Sequence, residues 1–311
     1  MGNSSKVHKK AKEDRLKRRR QIGPLAKNRI TPGVYSRYCR SVMVLFQFWF
    51  VNDMYPSASS EIDEKVACFV EAWWAEGEPY YVCSNALAAL QFFLPLKGKL
   101  TLSWDLLKTW HKKEPPVRVM PMHPLLLLGM AAYIARQGFI DVAALMITGF
   151  DAILRSGEIY RLRVGDILFS GEKAVLNLRD TKTSQVTGTM DMVICESAQA
   201  VTLLRAACQD RHRDLPVLQV SPSKFRKLFQ EAAIHFGFTD RLTVYSLRRG
   251  GATWSFLQHG SMEKCLLRGR WQSTKTARIY LQDAVAGMSD LQLSDSIRNK
   301  LQAEISEFFS P

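Results

Sequence analysis

The sequence predicts a mainly α-helical protein with one small antiparallel sheet. Apolar residues recur every three or four positions through most of the 311 residues, and three short β-branched segments cluster between Asp166 and Ile194. The stretch Glu114-Pro115-Pro116-Val117-Arg118-Val119-Met120-Pro121 cannot be helical and reads as a linker. Three parts follow: a basic tail at 1–30, a helical domain at 31–114 and an α+β domain at 115–311.

The tail carries eleven basic residues and two acidic ones, +9 of a net charge of +14. A basic excess of this size faces a polyanion, either nucleic acid or an acidic membrane. The run Arg15-Leu16-Lys17-Arg18-Arg19-Arg20 is too charged to pack and reads as disordered. Lys17, Arg18, Arg19 and Arg20 are candidates to contact DNA or to serve as a nuclear localisation signal. A myristoylation start is set aside because Lys6 stands where Ser or Thr is needed.

The six cysteines show no zinc-type spacing and lie in apolar segments, as reduced core thiols do. No apolar core follows the basic N-terminus, and the longest apolar runs are too short to cross a bilayer. The expected setting is intracellular, and the nucleus in a eukaryote.

Thr31-Pro32 opens the first helix of the helical domain, with Val34, Tyr38, Val42, Leu45 and Trp49 as its stripe. Ile62, Val66, Phe69 and Trp73 make a second. Leu87, Leu90 and Leu94 make a third, ended near Pro95 and Gly98, and Trp104, Leu107 and Trp110 a fourth. Helical spacing assigns these aromatics to a core rather than to a base-stacking platform. Arg37, Arg40, Lys97, Lys99, Lys108, Lys112 and Lys113 remain to grip phosphates.

In the second domain, helices are expected at Pro124–Gln137 and Asp141–Phe150. Strands follow from Asp166, at Ala174–Leu178 and at Met190–Ile194, with Lys182 on the polar turn between the last two. Further helices are expected at Glu196–Asp210, after Ser221-Pro222, and at Leu247–His259, Met262–Leu267, Thr274–Asp283 and Ser296–Phe309.

A phosphodiester undergoing displacement gathers negative charge on its non-bridging oxygens. Two guanidiniums clamp that charge and stay protonated. A tyrosine hydroxyl serves as a nucleophile that stores the bond as a phosphotyrosine ester. A lysine protonates the leaving oxygen. Arg155, Lys182, Arg248 and Tyr280 occur in that order, with Trp271 nine residues before Tyr280. Singly, each has a structural reading: Arg155 pairs with Glu158 a turn later, Trp271 fills a core, Lys182 is a turn lysine. Order and spacing together point to the chemistry.

These residues resemble the catalytic motifs of the tyrosine recombinase, or phage integrase, family. Leu154-Arg155-Ser156-Gly157-Glu158 is similar to its first arginine motif. Lys182 matches its hairpin lysine, and Tyr245-Ser246-Leu247-Arg248 with Ala252-Thr253 its His-x-x-Arg box. Trp271 matches its His/Trp position and Tyr280 its nucleophile. Tyr245 departs from the pattern, since histidine is usual there and a phenol is a poor proton acceptor at neutral pH.

The resemblance implies a four-helix SAM-like core-binding domain and an α+β catalytic domain, forming a C-shaped clamp around double-stranded DNA. It implies breaking and rejoining of DNA through a 3′-phosphotyrosine, without metal, nucleotide or other cofactor. The catalytic set is Tyr280, Arg155, Arg248, Lys182, Trp271 and Tyr245, and Arg249 joins the DNA-binding residues. The C-terminal helix would dock on a neighbouring protomer, in a tetramer on two DNA sites. A mobile-element integrase is one such protein. The alternatives are a degenerate DNA-binding protein on this fold and a type IB topoisomerase.

Overall fold

The structure is a computed structural model that describes residues 2–116, 119–179, 191–238, 242–281 and 293–309. The chain divides into two compact units, Met1–Val117 and Arg118–Pro311.

The first unit opens with a departure from the expected disordered tail: Gly2–Ile22 is a helix, α1. From Lys6 to Gln21 the chain is free of Gly and Pro and dominated by Lys, Arg, Ala, Glu and Leu, all good helix formers. The helix stops at Gly23, which takes φ 78°, ahead of Pro24. Charge prevents packing, as expected, but it does not prevent backbone helicity.

Four helices build the rest of this unit: α2 (Pro32–Val51), α3 (Ile62–Ala75), α4 (Tyr80–Phe93) and α5 (Thr101–Lys113). Thr31 caps α2 by accepting from the Val34 N–H, with Pro32 at its first position. The core forms from Leu45, Trp49, Phe69, Leu87, Leu107 and Trp110, so the aromatic stripes are buried as their spacing predicts. The α3–α5 pairing has a polar latch. The Asp63 carboxylate accepts from the Leu102 N–H at 2.9 Å, the Ser103 N–H at 3.0 Å and the Ser103 hydroxyl at 2.6 Å. One side chain of α3 thereby caps the N-terminus of α5.

The second unit is organised around α7 (Ile140–Asp151), in which every residue from Asp141 to Phe150 is buried. A helix apolar on all sides needs neighbours on all sides. They are α6 (Pro124–Arg136), α9 (Ala198–Cys208) and α11 (Val244–His259). Its polar groups are satisfied within the core: Asp141 accepts from the Gln219 N–H at 2.6 Å, and Thr148 donates to the Ala144 carbonyl at 2.7 Å.

After α7 come the short α8 (Ser156–Arg161) and an antiparallel sheet of β1 (Ile167–Ser170), β2 (Lys173–Leu178) and β3 (Asp191–Cys195), in that order. Ile167 pairs with Leu176, and Leu176 with Val193, so the buried residues align on one face. Lys182 lies between β2 and β3, outside the described residues. The remaining helices are α10 (Pro222–His235), α12 (Met262–Gly269), α13 (Thr274–Leu281) and α14 (Asp295–Phe309).

Two glycines set how closely α11 approaches the chain before α6 and the end of α7. A Cβ on Gly250 would lie 2.2 Å from the Met122 carbonyl oxygen, and one on Gly251 would lie 1.9 Å from that of Phe150. Glycine within a helix costs about 1 kcal/mol relative to alanine; no other residue fits against this backbone.

The last helix, expected on a neighbouring protomer, packs in this single chain on its own α6. Leu301 is fully buried over Gly129. Arg136 pairs with Glu304 at 3.0 Å and Glu307 at 2.7 Å. The helix covers apolar surface that would otherwise face water. Among the described residues, no helix is long and apolar enough to cross a membrane.

The Asp63 latch predicts a pH-dependent contribution to stability. Burial raises the carboxyl's pKa, but the bonds from Ser103, Leu102 and Thr101 outweigh it and hold it below the usual value. A depressed folded-state pKa contributes stability above the unfolded value and loses it as pH falls. Asp63→Ala should therefore destabilise the first unit by about 1–2 kcal/mol at pH 7. In thermal melts, the gap to wild type should close as pH falls below the ordinary aspartate range.

Candidate active site

The site is built where the α7–α8 loop, the start of α11 and the α12–α13 turn meet. Its backbone anchor is Ile153, which is fully buried and adopts φ 50°. A β-branched residue in the left-handed region is a genuine outlier. This conformation presents the Ile153 carbonyl to two guanidiniums, accepting from Arg248 and, at 3.3 Å, from Arg270. The Ile153 side chain packs with Ala252, Trp271 and Ala277, beneath the ring of Tyr280.

Arg248 is 1% exposed. It extends from the first turn of α11 and donates to the Ile153 carbonyl and, at 2.7 Å, to that of Gly269. Its guanidinium carbon lies 4.8 Å from the centroid of Trp271 and 5.8 Å from that of Tyr280. Burial lowers its pKa, and the like charge of Arg155 adds to the effect.

Arg155 caps α8. Its N–H donates to Glu158 Oε2 at 2.7 Å and its guanidinium to Oε1 at 2.8 Å. Glu158 is 4% exposed. Its Oε2 also accepts from Arg270 at 2.7 Å. One buried carboxylate thus holds two guanidiniums. Arg270, at φ 54°, has only 7% of its side chain exposed, and burial pushes its pKa down to about 10.

Trp271 and Tyr280 pack with centroids 4.7 Å apart. The Tyr280 hydroxyl shares a hydrogen bond with the Tyr245 hydroxyl, in which either oxygen is able to donate, and its ring lies beside Trp271 and the Arg248 guanidinium. Burial would raise the Tyr280 pKa. The contact with Tyr245 and the nearby charge of Arg248 outweigh it and bring the pKa below the ordinary tyrosine value. Tyr245 moves the other way, pushed up to about 12 by burial and by its bond to Tyr280.

Five of the six catalytic residues expected from the sequence, Arg155, Arg248, Trp271, Tyr280 and Tyr245, therefore converge. Lys182 lies outside the described residues. Arg249, expected to contact DNA, is 4% exposed and donates to the Ile279 carbonyl at 3.4 Å, tying α11 to α13. Arg249 follows Arg248 directly, about 100° further round the helix, so the two side chains leave α11 in different directions. Arg270 was missed; its one signal was its place directly before Trp271. Among the other DNA-binding candidates, Lys17, Arg19, Arg20, Arg37, Arg40, Lys97 and Lys99 are exposed, and the Arg18 side chain lies outside the described residues. Arg37 and Arg40 line an open recess with Tyr81.

No family model matches this sequence, and no curated protein matches it. Solved structures do. The XerH site-specific recombinase bound to a palindromic difH substrate aligns with TM-score 0.59 and 12% identity, over 81% of this chain and 77% of that one. A lambda integrase dimer bound to a COC′ core site aligns with TM-score 0.59 and 16% identity, over 86% and 94%. The Tn1549 transposon integrase with transposon right end DNA aligns with TM-score 0.59 and 11% identity, over 85% and 95%.

The fold is that of the tyrosine recombinases.

Within this tyrosine recombinase fold, the Glu158 carboxylate is the natural point of perturbation. Breaking a buried ion pair from one side leaves uncompensated charge and costs about 3–5 kcal/mol. Glu158→Gln should lower stability by that order in urea unfolding. Adding Arg270→Met should recover part of the loss, so that the double variant is less destabilised than the sum of the single ones. Strict additivity would show that the two side chains are not coupled.

Proposed function

We propose that this chain breaks and rejoins double-stranded DNA through a covalent phosphotyrosine, as a site-specific recombinase or integrase. The observation that carries the reading is the hydroxyl of Tyr280, set against Arg248 and Trp271 in one cluster with Arg155. Tyr280 Oη attacks the scissile phosphorus, and the bond from phosphorus to the 5′-oxygen breaks. Arg155 and Arg248 stabilise the charge that develops on the non-bridging oxygens. Trp271 donates its N–H at the same centre. Lys182, assigned from its place in the sequence, gives a proton to the leaving 5′-oxygen. A 5′-hydroxyl from a second strand reverses the step. The ester conserves the bond energy, so no nucleotide is consumed.

The basic surface supports the same reading. Arg37, Arg40, Lys97 and Lys99 offer cations to the phosphate backbone, and α1 adds Lys17, Arg19 and Arg20. The charge of α1 also suits nuclear import in a eukaryotic host. The similar lambda integrase was solved as a dimer on a core site and as a tetramer on a Holliday junction. We extend that to an assembly of four copies of this chain on two DNA sites, in a protein of mobile-element type.

One observation favours a second reading. Tyr245 occupies the position where the resemblance calls for histidine, so a protein that grips DNA without cutting it is the competitor.

Selection from a random duplex library would yield a bound sequence, from which a nicked suicide substrate is made. Wild type should form a covalent adduct with it and Tyr280→Phe none. Arg248→Ala and Arg155→Ala should each reduce adduct formation by about 10²–10³-fold, the usual effect of removing one charge-stabilising donor. Binding to the selected duplex with no adduct from any substrate decides for the second reading.

A further inference from the structure

Tyr245 does not point at an empty phosphate position; its hydroxyl is hydrogen-bonded to that of Tyr280. The two rings lie 6.1 Å apart on α11 and α13. The Arg248 guanidinium lies 5.8 Å from the Tyr280 ring centroid, and its own bonds go to the neutral carbonyls of Ile153 and Gly269. A buried cation beside a phenol that already has a hydrogen-bond partner favours negative charge on that phenol's oxygen.

We propose that Tyr245 is a positioning residue for the nucleophile: its hydroxyl donates to the Tyr280 oxygen and, beside the charge of Arg248, raises the share of Tyr280 present as phenolate before DNA arrives. This deepens the breaking–rejoining reading and rests on it for its consequence, though not for its geometry. Tyr280 releases its proton to solvent and Tyr245 keeps its own. The Tyr280 oxygen then bonds to phosphorus, the 5′-oxygen leaves with a proton from Lys182, and Tyr245 is free to donate to the phosphotyrosine ester.

The charges around the pair agree with this direction. On α11 the pair meets Arg248 and Arg249, and from the α12–α13 turn Trp271 and Arg270. From the α7–α8 loop and α8 come Arg155 and Glu158, whose carboxylate is bound to both Arg155 and Arg270, and from the start of β3 the Asp191 carboxylate also acts on Arg270.

The test has two arms on full-length protein. The first needs no DNA: tyrosinate absorbance is followed through an alkaline titration. Wild type should show one tyrosine ionising below the rest. The component should vanish in Tyr280→Phe and move up into the ordinary range in Tyr245→Phe. Tyr245→His, which keeps an N–H donor, should restore part of the shift.

The second arm measures cleavage of the suicide substrate against pH. Loss of the donor raises the nucleophile's pKa, and one unit lowers the phenolate population at neutral pH by about tenfold. Tyr245→Phe should therefore cleave about tenfold more slowly at pH 7, with the deficit shrinking as pH rises. A merely structural loss would lower the rate equally at every pH. An unshifted titration, or a Tyr245→Phe deficit independent of pH, overturns the assignment. An adduct that persists in Tyr280→Phe and maps to Tyr245 overturns it as well. A shifted titration with no adduct from any DNA leaves the phenolate standing and sinks the recombinase reading; an adduct with an unshifted titration does the reverse.

Discussion

Everything at the site depends on one buried carboxylate. Glu158 gathers the Arg155 N–H, the Arg155 guanidinium and the Arg270 guanidinium. Without it, two cations would sit close together in a space that excludes water, and desolvation alone would drive them apart or strip their protons. With it, α8 begins at a defined residue, and the α12–α13 turn is pinned to the α7–α8 loop. That turn carries Trp271 and leads into the helix of Tyr280. The carboxylate therefore fixes the position of Arg155 relative to the turn that leads to Tyr280.

The second constraint is in the backbone. Arg248 reaches its place because α11 lies against the α7 chain, and Gly250 and Gly251 allow that approach. The guanidinium then meets the Ile153 carbonyl, which faces it only because Ile153 takes a left-handed φ. Glycine would adopt that φ without strain. Isoleucine persists because its side chain fills the space under Trp271 and Ala277. Local strain here is held by packing, and the packing supports the helix that carries the nucleophile.

These two constraints explain what was legible in the sequence and what was not. The meeting of Arg155, Arg248, Trp271 and Tyr280 in one cluster was legible because the motifs they resemble keep fixed residue types at fixed spacings. The buried stripes of α2, α3 and α5 were legible because helical periodicity follows from burial. Arg270 was not, because its role depends on a carboxylate 112 residues away, a pairing that no local pattern encodes. The burial of Arg249 was not legible for a related reason: its bond to the Ile279 carbonyl comes from the packing of α13 over α11, which no local pattern encodes. The helicity of α1 was overlooked because charge density bears on packing, whereas backbone propensity bears on helix formation.

The remaining question is why a tyrosine is workable at position 245. A histidine there titrates near neutrality and is able both to take a proton and to give one. A phenol at neutral pH only donates. A site that loses its acceptor must have its nucleophile ionised beforehand, which requires positive charge that no carboxylate cancels. The cluster meets that requirement. Arg155, Arg248 and Arg270 lie together, and the two carboxylates near them among the described residues are committed elsewhere than Arg248: Glu158 binds Arg155 and Arg270, and Asp191 acts on Arg270. Arg248 is held by backbone carbonyls, which orient a guanidinium without neutralising it. Its charge is thus left for an anion at the centre. Under the proposed breaking–rejoining reaction that anion would be the Tyr280 oxygen in the free protein and a phosphate oxygen on DNA, and exchanging histidine for tyrosine would move the proton transfer to before DNA binding.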